Sequence, residues 1–200
     1  MFHNIPEPML ERMAYLEKID TRDRQDDTPF AERLRQIPPE TGRFLALLAT
    51  MAPPGRVLEV GTSGGYSGMW LALACRQRGD RLTTFDILPN KTRLAQETFD
   101  IAGVSQHIDL IQGDARQYLP GISEVAFCFL DAEKDVYAAC YELLIPNLVP
   151  GGLLVADNVI SHQQELAGFT QSVQADPRVD ALVVPIGKGV LVCRKLGSSV

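Results

Sequence analysis

The feature that most constrains the fold is a regular alternation of short strand-like runs with amphipathic segments through the middle of the chain. The strand-like runs lie at residues 56–61, 81–86, 107–111, 125–131 and 153–157. The fourth run reads VAFCFLD and is almost wholly apolar, which is typical of a strand that is buried on both faces. Neighbouring parallel strands need a crossover between them, and the intervening segments have helical spacing. The pattern therefore predicts an α/β fold with a doubly wound, mostly parallel sheet.

The end of the chain predicts a different pairing. After a helix predicted at residues 163–174, two further runs at 181–185 and 190–194 flank the tight turn IGKG. No helix fits between these runs, so they are expected to pair as an antiparallel hairpin. The hairpin brings the predicted sheet to seven strands.

The N-terminal region is charge-dense and helical in pattern. Met9, Met13 and Leu16 recur at helical spacing and predict an amphipathic helix that ends near Asp20. Thr28-Pro29 predicts the start of a second short helix, and residues 38–41 predict the start of another. We therefore divide the chain into an N-terminal helical extension at residues 1–36 and an α/β domain at residues 37–200.

Composition excludes several classes of protein. Of 200 residues, 46% are hydrophobic and 22% are charged, which argues against a disordered chain. The net charge of −6 matches a nucleic-acid backbone poorly, so no nucleic-acid partner is expected. No run reaches the roughly 18 apolar residues of a membrane-spanning helix, and no secretory signal is visible. The four cysteines form no CxxC pair and predict reduced thiols, so we expect a cytoplasmic protein without a membrane partner.

Polar residues cluster where the predicted strands end. Ligands of open α/β sheets bind beyond the carboxyl ends of the strands, so these residues are candidates for a binding site. They are a glycine-rich loop at residues 61–68, Asp86, the sequence Gly113-Asp114-Ala115, Asp131 and the pair Asp157-Asn158.

The glycine-rich loop has three possible interpretations. It is neither a dinucleotide fingerprint, because Ser63 stands at the second glycine position, nor a phosphate-binding P-loop. The first interpretation is a serine hydrolase, because the loop matches the G-x-S-x-G pattern through Gly61, Ser63 and Gly65. His162 is then the one histidine placed to complete a triad. A purely structural glycine turn is the second interpretation, and binding of S-adenosylmethionine is the third.

Three segments together make the third interpretation specific. LEVGTSGGYS (58–67), FLDAEKDVY (129–137) and GGLLVADNV (151–159) resemble the metal-dependent O-methyltransferases that act on catechol and caffeoyl-CoA. The resemblance covers residues 37–195 and implies a Rossmann-like class I methyltransferase fold. It also implies an S-adenosylmethionine-dependent O-methyltransferase whose acceptor is a small hydroxylated molecule. It further implies that the N-terminal helices form a lid over the acceptor side and that the same region contributes to a homodimer.

The resemblance implies a role for each candidate residue. The residues implied to bind S-adenosylmethionine are Glu59, Gly61, Thr62 and Ser67 at the methionine half, Asp86 at the ribose, Asp114 and Ala115 at the adenine, and Asp131. The residues implied to bind a divalent cation, most often Mg²⁺, are Asp131, Asp157 and Asn158. Lys134 is implied to be the general base, with Asp131 as its catalytic partner. Two carboxylates and an amide oxygen suit a hard cation such as Mg²⁺.

The sequence departs from the family after Asn158 and in the last turn. Relatives carry a tryptophan-containing loop where this chain has residues 159–163 without an aromatic side chain, and they carry Gly-Asp-Gly where it has Gly187-Lys188-Gly189. Two other interpretations stay open: a metal-independent methyltransferase of the same fold, and a protein that binds S-adenosylmethionine without turnover. Tyr137 shares a helical face with Lys134 and is interpreted as a core residue.

Overall fold

Seven strands form one sheet in the order β3-β2-β1-β4-β5-β7-β6 in this computed structural model, which describes residues 1–30 and 32–197. The strands are β1 (Arg56–Val60), β2 (Leu82–Asp86), β3 (Ile108–Gln112), β4 (Val125–Leu130), β5 (Leu148–Ala156), β6 (Val179–Val184) and β7 (Val190–Lys195). The first five are parallel, whereas β7 runs antiparallel to both β5 and β6. The predicted seven-stranded sheet with its antiparallel hairpin is therefore confirmed.

Seven α-helices accompany the sheet in the described residues. They are α1 (Glu7–Asp23), α2 (Pro39–Met51), α3 (Tyr66–Arg78), α4 (Pro89–Ile101), α5 (Ala115–Tyr118), α6 (Tyr137–Leu144) and α7 (Gln163–Gln174). Across residues 1–30 and 32–197, none of the helices combines the length and the apolar character needed to cross a membrane. The predicted domains include residues outside the described ones, namely position 31 of the extension and positions 198–200 of the α/β domain.

The central strands bury alternate side chains on opposite faces of the sheet. Val57 and Phe127 pack on one face with apolar residues of α1 to α4. Leu58 and Cys128 pack on the other face with residues of α5, α6 and α7. Every residue of β4 is buried, which explains why this strand carries no polar side chain before its end.

No helix follows Thr28 in the described residues 28–30 and 32–38, so this prediction was wrong. Residues 28–30 and 32–38 form turns and extended chain. Side chains from elsewhere bind this backbone: Lys91 Nζ donates to the carbonyl oxygens of Glu32 at 2.7 Å and Arg33 at 2.8 Å. The Leu34 amide donates to Asp23 Oδ2 at 3.2 Å. The Pro29 carbonyl oxygen accepts from the amides of Glu32 at 2.8 Å and Arg33 at 3.2 Å, but beyond it the long-range hydrogen bonds hold the chain extended, which no local propensity could indicate.

Two other helix boundaries differ from the predictions. The first helix runs three residues past Asp20, because its last turn packs against the segment that follows. The helical segment expected between the fourth and fifth strand-like runs is divided into a 3₁₀ turn at Lys134–Val136, α6, and a second turn at Ile145–Asn147. Pro146 lies in that second turn and has no amide hydrogen for an α-helical bond.

The ends of β1 and β4 approach each other most closely at Gly61, which has φ +99°. A Cβ added at Gly61 would overlap the carbonyl oxygen of Asp131. Gly79 also has a positive φ, +75°, but a Cβ there would meet nothing within 4 Å. Substituting alanine at Gly79 would therefore introduce backbone strain alone, whereas alanine at Gly61 would add a steric overlap.

We expect Gly61→Ala to lower the free energy of unfolding by about 3 kcal/mol, because left-handed strain and overpacking each cost on the order of 1–3 kcal/mol. Gly79→Ala should cost about 1 kcal/mol from strain alone. Urea denaturation of both variants measures the difference. Equal losses would show that the approach of the two strand ends is not tight.

Candidate active site

Main-chain hydrogen bonds join the loops that follow neighbouring strands at the carboxyl edge of the sheet. The Gly113 amide donates to the carbonyl oxygen of Asp86 at 2.9 Å, and the Asp131 amide donates to that of Val60 at 2.9 Å. The Asp157 amide donates to the carbonyl oxygen of Leu130 at 3.0 Å. The acidic residues that follow the strands thus lie along one edge.

Glu59 is a buried carboxylate at the end of β1 and is fully shielded from solvent. Its Oε2 accepts a hydrogen bond of 2.6 Å from Thr84, whose hydroxyl lies 2.6 Å from that of Thr62. Its Oε1 has no hydrogen-bond partner in the described part of the chain. Burial raises the pKa of Glu59 to about 7, although the hydroxyls of Ser67 and Thr84 oppose the rise. A buried carboxylate oxygen without a partner indicates that a ligand donor belongs beside it.

The glycine-rich loop leads from β1 into α3 and is bound by Asp86 of β2. Asp86 Oδ2 accepts from the Ser63 amide at 2.8 Å, and Oδ1 accepts from the Leu88 amide at 2.9 Å. Ser63 itself has φ +46°, an unusual backbone conformation for a residue with a side chain. The Asp86 carboxylate is thus fixed in place while oxygen lone pairs remain for a ligand.

Asp114 caps the short helix α5 beyond β3. It accepts a 3.0 Å hydrogen bond from the Arg116 amide and a 2.7 Å bond from Arg116 Nη2. Hydrogen bonds from the Arg116 side chain hold the pKa of Asp114 below its usual range. Ala115 is buried beside it. Through Gly113 both residues adjoin Asp86, so they lie on the same side of the site as the glycine-rich loop.

Asp131, Asp157 and Asn158 converge at the ends of β4 and β5. Asn158 Nδ2 donates to Asp157 Oδ2 at 2.6 Å and to Asp131 Oδ1 at 3.1 Å, so one amide bridges both carboxylates. Asp157 is fully buried and its Oδ1 has no partner in residues 1–30 and 32–197. Burial raises the pKa of Asp157 to about 7, Asp131 adds to the rise, and Lys188 and Lys134 oppose it. Two carboxylates this close need a shared positive charge or a shared proton.

These residues fit a divalent cation by the chemistry of their oxygen atoms. The Asp157 Oδ1 without a partner and the two neighbouring carboxylates supply hard donors, and a half-turn of the Asn158 side chain would present its amide oxygen. Within the described residues, no group of three or more His, Cys, Asp or Glu side chains could hold a metal ion. A cation at this site would be held by two carboxylates and one amide oxygen.

Lys134 lies against this cluster and is held by three acceptors. Its Nζ donates to the Ala132 carbonyl oxygen at 2.8 Å, to the Tyr137 hydroxyl at 3.0 Å and to Asp131 Oδ1 at 3.3 Å. The Tyr137 hydroxyl donates in turn to the Asp157 carbonyl oxygen at 3.2 Å. Tyr137 is fully buried, as a core residue would be, yet its hydroxyl connects the lysine to the end of β5.

Residues 32–37, which we call the strap, cross the carboxyl edge above these groups. Ser63 Oγ donates to the Leu34 carbonyl oxygen at 2.7 Å on the glycine-loop side. Arg35 Nη2 lies 2.6 Å from Glu133 Oε1 on the other side, two residues after Asp131. The strap therefore touches both the loop after β1 and the loop after β4.

The geometry does not support the serine-hydrolase interpretation. Ser63 Oγ is bound to a main-chain carbonyl rather than to a base. His162 Nδ1 lies 3.0 Å from the hydroxyl of its neighbour Ser161, and His162 makes no side-chain hydrogen bond to Ser63 in the described residues. The G-x-S-x-G match is thus explained by the turn alone.

Sequence reasoning missed the polar roles of Tyr137 and Thr84. The spacing of Lys134 and Tyr137 by three residues was a usable signal, since such residues lie on one helical face. Thr84 gave no such signal, because its contact with Glu59 depends on the register between β1 and β2.

Comparison with known proteins supports the resemblance seen in the three motifs. A family model described as O-methyltransferase matches residues 11–196. The catechol O-methyltransferase of Niastella koreensis is 36% identical over 129 residues, which cover 62% of this chain and 58% of the relative. The caffeoyl-CoA O-methyltransferase of Mesembryanthemum crystallinum is 28% identical over 182 residues, which cover 78% of this chain and 71% of the relative.

A solved structure gives the same result. The O-methyltransferase TomG of Streptomyces achromogenes, which is involved in tomaymycin synthesis, was solved in complex with SAM. It has a TM-score of 0.75 and 27% identity, with 91% of this chain and 89% of that chain covered. Since the family model matches residues 11–196, the chain belongs to the O-methyltransferase family.

Proposed function

We propose that this protein is an S-adenosylmethionine-dependent O-methyltransferase that methylates one hydroxyl of a small vicinal diol with the help of a divalent cation, Mg²⁺ being the best fit. The observation that carries the proposal is the juxtaposition of Asp131, Asp157, Asn158 and Lys134 beside the glycine-rich loop. Relatives named for catechol and caffeoyl-CoA methylation support the acceptor class.

The glycine-loop side suits the cofactor. Glu59 offers the oxygen without a partner to the methionine half, beside Thr62 and Ser67, while Gly61 lets the end of β1 pack directly against the main chain of Asp131. Asp86 is oriented by two amides and would accept hydrogen bonds from the ribose hydroxyls. Asp114 and Ala115 would flank the adenine. The bound state of TomG supports this use of the shared fold.

The other side suits the cation and the acceptor. Asp131, Asp157 and Asn158 would hold the cation, which when bound supplies charge that favours the ionised form of an acceptor hydroxyl. As a neutral amine, Lys134 Nζ would take the proton of the hydroxyl and become an ammonium, and Asp131 keeps that nitrogen at the site through its 3.3 Å contact. Tyr137 positions the same nitrogen from the opposite side.

The proposal also includes the surroundings of the site. The extension at residues 1–36 would act as a lid and contribute to a homodimer. All four cysteines are buried and form no disulfide, which supports a reducing, cytoplasmic location.

The decisive test is calorimetry of S-adenosylhomocysteine, Mg²⁺ and catechol with wild type and Asp157→Asn. We expect both proteins to bind the nucleoside alike, and only the wild type to bind catechol when Mg²⁺ is present, because the variant loses one of two carboxylate ligands. Asp180→Asn, an exposed carboxylate on β6, is the matched control and should behave as wild type.

Three other results of this calorimetry would each contradict a different part of the proposal. Equal binding of catechol with and without Mg²⁺ would favour a metal-independent enzyme. Binding of the nucleoside without any binding or conversion of catechol would favour a protein without turnover. Failure of the wild type to bind the nucleoside would contradict the central claim.

Glu59→Gln should weaken S-adenosylhomocysteine binding at least tenfold, because a buried carboxylate acceptor is lost. Calorimetry of the variant measures the change, and unchanged affinity would contradict a role of Glu59 in binding.

The pKa of Glu59 is raised from 4.5 to about 7, so the native state holds the proton more tightly than the unfolded chain. The contribution of Glu59 to stability is therefore full below pH 4.5 and falls as the pH rises toward 7. Urea titrations at pH 5 and pH 8 should show wild type losing stability relative to the variant, and a pH-independent difference would contradict this.

Tyr137→Phe should lower kcat about tenfold with little change in KM, because one hydrogen bond that positions Lys134 is worth about 1 kcal/mol or more. The matched control is Tyr141→Phe, because Tyr141 lies on the same helix as Tyr137 and its ring also packs on Phe169. Its hydroxyl donates to Asp176 at 2.9 Å, away from Lys134. Steady-state kinetics and thermal melts should show similar stability losses for both variants. A similar fall in kcat for both variants would mean that Tyr137 acts only through stability.

A further inference from the structure

The turn between β6 and β7 is built against the loop that follows Asn158. The Lys188 carbonyl oxygen accepts from the Ile160 amide at 3.2 Å and from the Ser161 amide at 3.0 Å, and the Gly189 carbonyl oxygen accepts from the Val159 amide at 3.0 Å. A Cβ on Gly189 would overlap Ile160, so the turn and the loop are in tight contact. Lys188 is therefore fixed to the segment that carries Asp157 and Asn158.

The Lys188 ammonium reaches from this turn to the strap. Its Nζ donates to the carbonyl oxygens of Arg35 at 3.4 Å and Gln36 at 3.3 Å. Both bonds are long and both acceptors are neutral. An ammonium has three donors, so one N–H is left without an acceptor in the described residues.

The other cations near the cluster already have carboxylate partners. Arg35 pairs with Glu133 at 2.6 Å, and Lys134 contacts Asp131. Among residues 1–30 and 32–197, no carboxylate lies within ion-pair distance of Lys188 Nζ. The ion pairs of this region join Arg35 to Glu133 and Lys134 to Asp131, and neither includes Lys188.

Lys188 also borders a cavity of about 380 Å³ between the strap and α1. Two carboxylates line its far wall, and both are engaged: Glu17 accepts from the Tyr66 hydroxyl at 2.6 Å, and Asp20 pairs with Arg24 at 2.8 Å. Lys188 is thus the one cation bordering the cavity without an acidic partner in the described residues. Its neighbours on the same wall, Ile37 and two prolines, are apolar.

We propose that Lys188 is a specificity-determining residue that binds a carboxylate on the acceptor, so that the preferred acceptors are vicinal diols carrying one carboxylate. This inference rests on the proposed function. A hydrogen bond in which both the donor and the acceptor are charged is stronger than a long bond to a neutral carbonyl, so the N–H of Lys188 without an acceptor in the described residues favours a carboxylate. A single ammonium carries one positive charge and matches a monoanion.

The test compares 3,4-dihydroxybenzoate with its methyl ester, which keeps the ring and the diol but removes the charge. Binding to the complex with S-adenosylhomocysteine and Mg²⁺ is measured by calorimetry, and KM is measured by turnover. Wild type should bind the acid at least tenfold more tightly than the ester. Lys188→Met should raise Kd and KM for the acid about tenfold more than it raises those for the ester.

Two further variants separate local recognition from general effects. Lys188→Arg should retain preference for the acid, because the charge remains. Lys195→Met makes the same change of net charge at the far end of β7 and should leave both ligands unaffected.

An unchanged ratio of acid to ester binding in Lys188→Met would overturn the inference while leaving the proposed function intact. Equal losses for acid and ester would also overturn it, because Lys188 would then only hold the strap. If neither ligand binds the wild-type complex, the proposed function fails and the inference fails with it.

Discussion

The proximity of Asp131 and Asp157 is the constraint on which the site depends. Each ends a buried strand, and because β4 and β5 are adjacent and parallel, the two carboxylates are brought together by the sheet itself. Their repulsion has to be offset at that point. The Asn158 amide and the Lys134 ammonium do so, and Tyr137 and Ala132 fix the lysine. Burial of Asp157 makes any further positive charge favourable there.

Much of the fold could be predicted because its signals are local. The apolar run of β4 and the turn at Gly187-Lys188-Gly189 each indicate one element by composition, and the order of elements then indicates a doubly wound sheet. The predicted helix after Thr28 failed because Lys91, Ser63 and Asp23 bind that backbone from distant positions. Such contacts leave no periodicity in the segment they hold.

The candidate site shows the same division. The motifs at the strand ends predicted the residues that lie along the carboxyl edge, because the carboxyl ends of parallel strands always lie at the same edge of the sheet. The relay from Thr62 through Thr84 to Glu59 could not be predicted, and the spacing of Tyr137 from Lys134 indicated a shared face but not the hydrogen bond to the end of β5. They depend on the register of parallel strands and on the depth at which α6 packs, and neither is encoded in one segment.

The strap differs from the sheet in how it is held. Side chains from α1, α4, the glycine-rich loop and the last turn bind it one hydrogen bond at a time, whereas the strands share continuous ladders. Parting the strap from the edge would break these bonds and expose the buried side chains of Leu34 and Ile37, but it would leave the ladders whole. The molecule thus has two separate energy scales, one for the contacts of the strap and a higher one for global unfolding.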